Sequence, residues 1–342
     1  MASEHQIPGK DIDWDELRAT WGIAEPSSRR HITYGINNLT QVLATSSGNF
    51  ILRAYSSDRS LRHIRYELHA LVKLQQKNLA FQIPAPILTM TGELFAVFSG
   101  VIFTLSPLIS GAPPQNAKLE QSQAAGQTLA ELVKILANLQ VDVTEQSAPF
   151  PASGNFEAWA GTKIEPSRLI RSLPLVKDEQ SQILALLEIT QATAPSLYQT
   201  LPQQIIHRDY DQSNILMEDN LVTGVLDFEF CGPDLRILDL AYALTQWPAG
   251  LWNTGKEWAV MDSFIQGYFQ RQPLTSAELE ALPLIFRLRS TTSLFFRFGR
   301  YVRGLETPES MGDYIHSALS SESWLQRHEQ ELMSWIHHWL DI

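Results

Sequence analysis

The spacing of hydrophobic residues changes along the chain, and each change predicts a different kind of element. Residues 13–21 have the spacing of a short helix with acidic residues at its start. The runs 40–45 and 49–55 predict two strands joined by a tight turn. Apolar residues at helical spacing then predict a helix that Asp58 caps and that ends near Lys77. The first part of the chain is therefore expected to combine strands with one long helix.

Shorter apolar runs, separated by proline and glycine, complete this first part. Residues 87–90 and 93–98 predict two further strands, and a third apolar run covers residues 101–105. A proline and a glycine follow, as expected for a connection between domains. We therefore predict a small first lobe at residues 1–106 and a larger second lobe at residues 107–342.

The second lobe has mostly helical patterns. A loop rich in proline, serine, glycine and alanine is expected at residues 140–162. Helices are predicted at residues 121–139, 165–172, 178–200, 236–246, 255–270, 276–303 and 322–340.

The exception in this helical part is the segment IIHRDYDQSNILMEDNLVTGVLDFEF, residues 205–230. Its apolar pieces at 205–206, 215–217 and 222–226 predict short strands, and residues 219–220 make a turn between the last two. The polar residues between the first two strands then lie on a loop held by rigid neighbours. Catalytic groups are often presented in this way.

Composition narrows the class of protein. Of the 342 residues, 44% are hydrophobic and 18% charged, which is typical of a soluble globular protein. The formal net charge of −11 argues against general nucleic-acid binding. The single cysteine excludes an intramolecular disulfide. We see neither a secretory signal nor the ~18 consecutive apolar residues of a membrane span, so we expect a cytoplasmic protein with no membrane or nucleic-acid partner.

The loop at residues 207–214 reads H-R-D-Y-D-Q-S-N and matches the kinase pattern H-R-D-x-x-x-x-N. Phosphoryl transfer needs a base beside the acceptor hydroxyl and hard oxygen ligands for magnesium beside the phosphates. Asp209 can be the base, with His207 bracing the catalytic loop. Asn214 and Asp227 can supply metal-binding oxygens. The other interpretation is a hairpin with ordinary polar turn residues.

With these motifs, the chain resembles the protein-kinase-like small-molecule phosphotransferases, which include aminoglycoside phosphotransferases, choline kinases and homoserine kinases. The segments HRDYDQSNIL and GVLDFEFCGPDLRILDLAYAL carry most of the likeness. The resemblance implies an α/β (α+β), bilobal fold with a small strand-rich lobe and a large helical lobe. It also implies that Asp239, with Asp234 nearby, braces the catalytic loop.

The first lobe departs from the kinase plan at the position of the nucleotide-pairing lysine. The strand GNFILRAY carries Arg53 there, and the resemblance implies that Glu67 on the following helix pairs with it. Arginine keeps the charge but has a different hydrogen-bonding geometry. The alternative is that Arg53 is an ordinary residue on the strand surface.

The phosphate-covering loop also departs from the kinase pattern, since no G-x-G-x-x-G occurs. The equivalent stretch is YGINNLTQV, in which backbone groups near Gly35 and the side chain of Asn38 could hold phosphates. A simple hairpin turn is the other interpretation. The resemblance places adenine against the backbone between Leu105 and Leu108. At the glycine of the kinase D-F-G motif stands Glu229, which argues against activation-loop regulation.

We therefore expect a kinase that uses ATP and Mg²⁺ to phosphorylate a hydroxyl group of a small metabolite, as a monomer or homodimer. The first guess for the acceptor is an amino alcohol of the homoserine type. Choline, ethanolamine, an aminoglycoside or a sugar are alternatives within the same class. A pseudokinase that binds nucleotide without catalysis is the alternative of another class, and Arg53 is its only support.

Overall fold

The computed structural model of the chain describes residues 13–26, 28–32, 38–56, 58–115 and 118–341. Within these ranges, no helix is both long enough and apolar enough to cross a membrane. The fold is a mixed α/β arrangement, as the sequence predicted.

An antiparallel sheet of five strands, in the order β1-β2-β3-β5-β4, dominates the first part of the chain. A second pair, β6 with β9, and the hairpin β7-β8 belong to the later part. The strands are β1 (Ser28–Ile32), β2 (Asn38–Thr45), β3 (Gly48–Tyr55), β4 (Ala96–Phe98), β5 (Val101–Pro107), β6 (Gln203–Ile206), β7 (Ile215–Glu218), β8 (Leu221–Val225) and β9 (Gly232–Leu235).

Helices make up most of the second part. They are α1 (Trp14–Trp21), α2 (Leu61–Gln75), α3 (Leu119–Leu136), α4 (Phe156–Ala160), α5 (Pro166–Ser172), α6 (Lys177–Thr200), α7 (Ile237–Gln246), α8 (Glu257–Phe269), α9 (Ser276–Glu280), α10 (Leu282–Val302) and α11 (Pro308–Leu340). A 3₁₀ turn, Gln212–Asn214, precedes β7.

The sheet has helices on both of its faces, and the alternation of side chains along β3 decides which residue meets which helix. Leu52 and Ala54 point toward α1 and pack in a cluster with Trp21. Tyr55 points the other way and packs with residues of α2. Arg53 alternates with Leu52 and Ala54, so it also lies on the α2 face.

Close packing of α3 against α8 forms the centre of the larger core. Gly126 on α3 faces the carbonyl of Phe264, and Gly267 on α8 faces the carbonyl of Gln123. A Cβ atom on either glycine would overlap these backbone atoms. The two helices therefore touch along their backbones, because neither residue has a side chain.

Most predicted elements are confirmed, but the start of α2 is not. Its N-cap is Ser60, and Asp58 lies outside the helix. The Asp58 carboxylate instead accepts a hydrogen bond from the Ser56 hydroxyl and pairs with Arg300 at 2.5 Å. The sequence rule identified a helix-capping residue type, but a distant arginine competes for that carboxylate.

Other predictions of secondary structure also differ from the fold. Residues 87–90 form no strand, and the turn around them is closed by the Thr89 amide, which donates to the Glu93 carbonyl. The predicted loop 140–162 contains the short helix α4. The predicted helix 276–303 is interrupted at Ala281, which ends α9 and begins α10.

Candidate active site

The catalytic loop, residues 207–214, lies between β6 and β7 and is held in place by hydrogen bonds to α7. The backbone amides of His207 and Arg208 donate to the two carboxylate oxygens of Asp239, at 2.8 and 2.6 Å. Arg208 has a positive φ of 69°, in the left-handed region that non-glycine residues rarely adopt. Since Asp239 is fully buried and satisfied by these two amides, it holds the loop in this strained shape.

Asp234 secures the same arginine from another direction. Its carboxylate lies 2.9 Å from Nε of Arg208 and also accepts from Ser153 and from the Tyr198 hydroxyl. Asp234 is 1% exposed, so the ion pair is shielded from water. Removing one partner of such a pair would leave a buried charge without compensation. Both supporting aspartates thus contact Arg208, the residue just before Asp209.

Asp209 and Asn214 meet across the loop. The Asn214 side-chain amide donates to the Asp209 carboxylate at 2.9 Å and to its backbone carbonyl at 2.8 Å. With its Nδ2 engaged in this way, Asn214 leaves its Oδ1 as an acceptor for another ligand. Tyr210, next along the loop, points into the core and donates to the Ala125 carbonyl on α3.

Leu226 connects this loop to Asp227. Its amide donates to the Asn214 carbonyl at 2.8 Å, and its carbonyl lies 2.9 Å from Nε2 of His207. Nδ1 of His207 accepts from the Asp209 amide, so Nε2 carries the proton and donates to Leu226. The neutral ring of His207 therefore bridges the Asp209 loop and the segment that carries Asp227.

Arg53 is surrounded by acidic side chains. Its guanidinium lies 3.0 Å from Glu67, 3.0 Å from Asp227 and 3.2 Å from Glu229. The predicted pairing of Arg53 with Glu67 is therefore present, and Arg53 is not an unpartnered surface residue. Asp227 has a positive φ of 59°, which turns its side chain back toward Arg53 after the end of β8.

Asp227 uses only its Oδ1 for this pairing. Its Oδ2 and the Oδ1 of Asn214 are two hard oxygens that the site can offer to a cation. Among the described residues there is no cluster of three or more acidic, histidine or cysteine side chains that could hold a metal. Mg²⁺ commonly takes one or two protein carboxylates and completes its shell with phosphate oxygens and water. The donor set therefore fits a magnesium ion that arrives with a nucleotide.

The sequence of the chain matches the model of the Phosphotransferase enzyme family over residues 29–280. The chain belongs to this family. The prediction of a small-molecule phosphotransferase with the kinase-like fold is thereby confirmed. The homoserine kinase of Rhodopseudomonas palustris (strain BisB18) is 25% identical to this phosphotransferase over 296 residues, which cover 86% of this chain and 84% of that protein.

Solved structures are similar to this phosphotransferase over most of their length. One is "Amicoumacin kinase hAmiN in complex with AMP-PNP, Ca2+ and Ami", with a TM-score of 0.67 and 15% identity, covering 90% of this chain and 92% of that one. Another is a microcompartment-associated aminopropanol kinase, with a TM-score of 0.64 and 18% identity, covering 93% and 97%. At these identities the likeness supports the fold.

The structure does not bring every predicted nucleotide contact to the site of the phosphotransferase. Leu105 packs among the residues on the α1 face of the sheet, away from Arg53, and its carbonyl accepts from the Ile87 amide. The Leu108 amide donates to the Asn49 carbonyl. Both of these backbone groups already have partners within the protein, so the contact between adenine and this stretch stays a prediction.

Two further predicted contacts concern the phosphate-covering loop. Gly35 lies outside the described residues. Asn38 begins β2 opposite Tyr55, and its side chain is not described. The role of this loop therefore stays a prediction as well.

Sequence reasoning missed how Glu229 is used. Glu229 is 5% exposed and pairs with both Arg53 and Arg59, the latter just before α2. The Arg59 guanidinium also stacks over Phe150 and Phe230. The acidic residue in place of a kinase glycine thus connects the start of α2 to the segment after Asp227. Its unusual identity was the available signal, but its partners are distant in sequence.

The surroundings of Asp209 shift the pKa of its carboxyl group. Burial, together with the charges of Asp211 and Asp227, raises the pKa of Asp209 to about 8, while a hydrogen bond from the Tyr242 hydroxyl acts in the opposite direction. Burial lowers the pKa of His207 to about 4 despite its hydrogen bond to the Leu226 carbonyl. A neutral His207 agrees with its bridging role.

Two tryptophans at and after the end of α7 have different surroundings. Trp247 is 1% exposed and packs against Phe264, so it belongs to the core. Its carbonyl accepts a hydrogen bond from Gln212 in the catalytic loop. Trp252 is half-buried and packs edge-on against Trp324, with ring centroids 4.7 Å apart. Both residues therefore pack against other aromatic rings.

Proposed function

We propose that this phosphotransferase transfers the γ-phosphoryl group of ATP to a hydroxyl group of a small metabolite. Asp209 accepts the proton of the acceptor hydroxyl, the acceptor oxygen bonds to the γ-phosphorus, and the bond to the β-phosphate oxygen breaks to release ADP. The observation that carries this proposal is the position of Asp209, hydrogen-bonded to one candidate metal residue, Asn214, and linked through Leu226 to the other, Asp227.

Mg²⁺ would be held by Asn214 and Asp227, and when bound it would neutralise charge on the phosphates. Its charge would also offset that of Asp227, one of the groups that raise the pKa of Asp209. Arg53 would orient Asp227 and contact phosphate oxygens, with Glu67 and Glu229 holding the guanidinium in place. We propose in addition that residues 1–106 and 107–342 act as two lobes around this site; the monomer or homodimer stays a prediction.

For the acceptor we propose an amino alcohol of the homoserine type. The support is the set of curated relatives named homoserine kinase, at 25–27% identity. The aminopropanol kinase among similar structures favours the same chemical class. A pseudokinase is disfavoured, because Asp209, Asn214 and Asp227 occupy one connected network.

An acceptor panel tests this function. ADP formation would be followed with MgATP alone and with L-homoserine, L-threonine, 3-aminopropan-1-ol, 1-aminopropan-2-ol, choline, ethanolamine or kanamycin, with ³¹P NMR to detect the phosphate ester. We expect at least one amino alcohol to stimulate ADP release with an equal amount of ester. Release of ADP with inorganic phosphate alone, whatever the acceptor, would contradict a kinase. No turnover with any acceptor would favour the pseudokinase.

A further inference from the structure

Five arginines lie on α10 or at its end, and four of them have partners that explain them. Arg287 pairs with Glu322 at 2.9 Å, and Arg297 and Arg300 each pair with Glu306 at 2.8 Å. Arg303, which follows the helix, donates to the Ala160 carbonyl at 3.0 Å. These arginines attach α10 to neighbouring parts of the fold.

Arg289 is the exception. Among the residues that the structure describes, no carboxylate lies within ion-pair distance of its guanidinium. Its Nε is buried and has no hydrogen-bond partner. Burying part of a guanidinium is unfavourable unless a negatively charged group pairs with it. This arginine therefore has a charge that no described carboxylate offsets.

Arg289 lies close to the proposed base, with Tyr242 between them. Its guanidinium carbon lies 3.8 Å from the centre of the Tyr242 ring. Tyr242 in turn interacts with Asp209, whose charge acts on the tyrosine hydroxyl. One aromatic ring thus separates the unpaired cation from the proposed base. An acceptor with its hydroxyl at Asp209 would extend past Tyr242 toward this guanidinium.

We infer that Arg289 binds a carboxylate of the acceptor, so that the enzyme selects a hydroxy amino acid over the corresponding amino alcohol without the carboxylate. This inference rests on the proposed function and adds the residue that determines specificity. Guanidinium groups suit this task because they donate two parallel hydrogen bonds to a carboxylate. Stacking on Tyr242 fixes the plane of the guanidinium before the acceptor binds.

Matched acceptors can test the inference. L-Homoserine and 3-aminopropan-1-ol differ by one carboxylate, as do L-threonine and 1-aminopropan-2-ol. The kcat and KM for each pair would be measured with the wild type, Arg289→Gln and Arg289→Lys. Arg287→Gln is the control, because it removes an arginine on the same helix whose partner is Glu322.

We expect the wild type to prefer the carboxylated member of at least one pair. Arg289→Gln should lower kcat/KM for that member by on the order of 10²-fold, mainly through KM, because it removes a charged partner at a shielded site. In the same variant, kcat/KM for the member without the carboxylate should change by less than about threefold. Arg289→Lys should keep part of the preference, since the charge remains but the fork is lost. Arg287→Gln should leave the preference unchanged.

Three outcomes would overturn the inference. If Arg289→Gln lowered kcat/KM equally for both members of a pair, Arg289 would only support Tyr242 and Asp209. An unchanged preference in Arg289→Gln would show that another group binds the carboxylate. Turnover of the amino alcohols alone would reject a carboxylate subsite while leaving the proposed kinase function intact. Failure of these four acceptors and of every other member of the acceptor panel would instead count against the proposed function itself.

Discussion

On one side of the site, around Arg53, the charges are matched. The guanidinium meets Glu67, Asp227 and Glu229, and Glu229 meets Arg59 as well. On the other side, around Asp209, the carboxylate has neutral neighbours: Asn214 donates a hydrogen bond to it, and Tyr242 lies next to it. The cation behind Tyr242 has no carboxylate partner among the described residues.

This difference indicates a division of labour. Paired charges hold Arg53 and Asp227 in one geometry before any ligand binds, which is how a site is organised in advance for phosphates and metal. Charges without partners cost stability in the free protein and are satisfied when a ligand supplies the opposite charge. We therefore expect changes on the Arg53 side to affect nucleotide binding, and changes on the Asp209 side to affect the acceptor and the chemical step.

The largest effect is expected from Asp227→Asn, which removes the proposed metal carboxylate. Turnover should fall by more than the roughly 10⁴-fold that is the upper range for a general base, because both metal binding and its charge neutralisation are lost. Asparagine is preferred to alanine here because it tolerates the positive φ of Asp227.

Asp219→Asn is the matched control for that experiment. Asp219 also has a positive φ, 53°, but lies in the turn between β7 and β8. The Asp219→Asn variant should have the same activity as the wild type in this assay. Magnesium-dependent ATP turnover that survives Asp227→Asn would show that the metal site has been assigned to the wrong residue.

A smaller effect is expected at Arg53. Arg53→Ala should raise KM for MgATP and lower kcat/KM by about 10–100-fold, as found for residues that orient metal ligands. Arg53→Lys should retain substantial activity, because one ammonium can still pair with part of the acidic group. Steady-state kinetics at varied MgATP provide the measurement.

Arg236→Ala controls for the loss of an ion pair, since Arg236 pairs with the fully buried Glu278 away from the site. That variant should lose stability but keep the KM for MgATP. If Arg53→Ala were as active as the wild type, the Arg53 side would have no part in nucleotide binding, and the comparison of the two sides would fail.

The smallest expected effect concerns the neutral bridge at His207. Burial lowers its pKa from 6.5 to about 4, so the unfolded chain binds more protons than the folded protein between these values. The contribution of His207 to stability is complete above pH 6.5 and is lost as the pH falls toward 4. Between pH 7 and pH 5 this amounts to about 2 kcal/mol of unfolding free energy.

Urea unfolding at the two pH values measures this loss. His207→Asn should be less stable at pH 7 but should show a smaller fall on acidification. The exposed His316 provides a control. The unfolding free energy of His316→Gln should fall as much between pH 7 and pH 5 as that of the wild type. An equal fall in His207→Asn and the wild type would mean that His207 is not held neutral by the fold.

The sequence predicted the part of the site that lies within one continuous segment. His207, Asp209, Asn214 and Asp227 fall within about twenty residues, and the strands around them are short-range hairpin elements whose pattern is visible in the sequence. The pairing of Arg53 with Glu67 was also expected, because it followed the resemblance to a known family.

Long-range contacts were not predictable in the same way. The pairing of β6 with β9 joins two four-residue strands across the catalytic loop, and neither strand has a strong period of its own. Asp58 carries the signal of a helix cap, yet its partner Arg300 is 242 residues away. In the sequence Arg289 is one of five similar arginines, and only the partners of the other four distinguish it. Sequence spacing identifies a residue type, whereas its role here depends on which charges are already paired.

The division of labour is tested most directly by measuring MgATP binding and acceptor-dependent turnover in one variant, Asp209→Asn. The change is nearly isosteric and removes the carboxylate that accepts the proton. Calorimetric titration should give a dissociation constant for MgATP within about twofold of the wild type, while kcat falls by roughly 10²–10⁴-fold. A loss of MgATP affinity as large as the loss of turnover would contradict the account, because Asp209 would then be a nucleotide or metal ligand and not the base on the acceptor side.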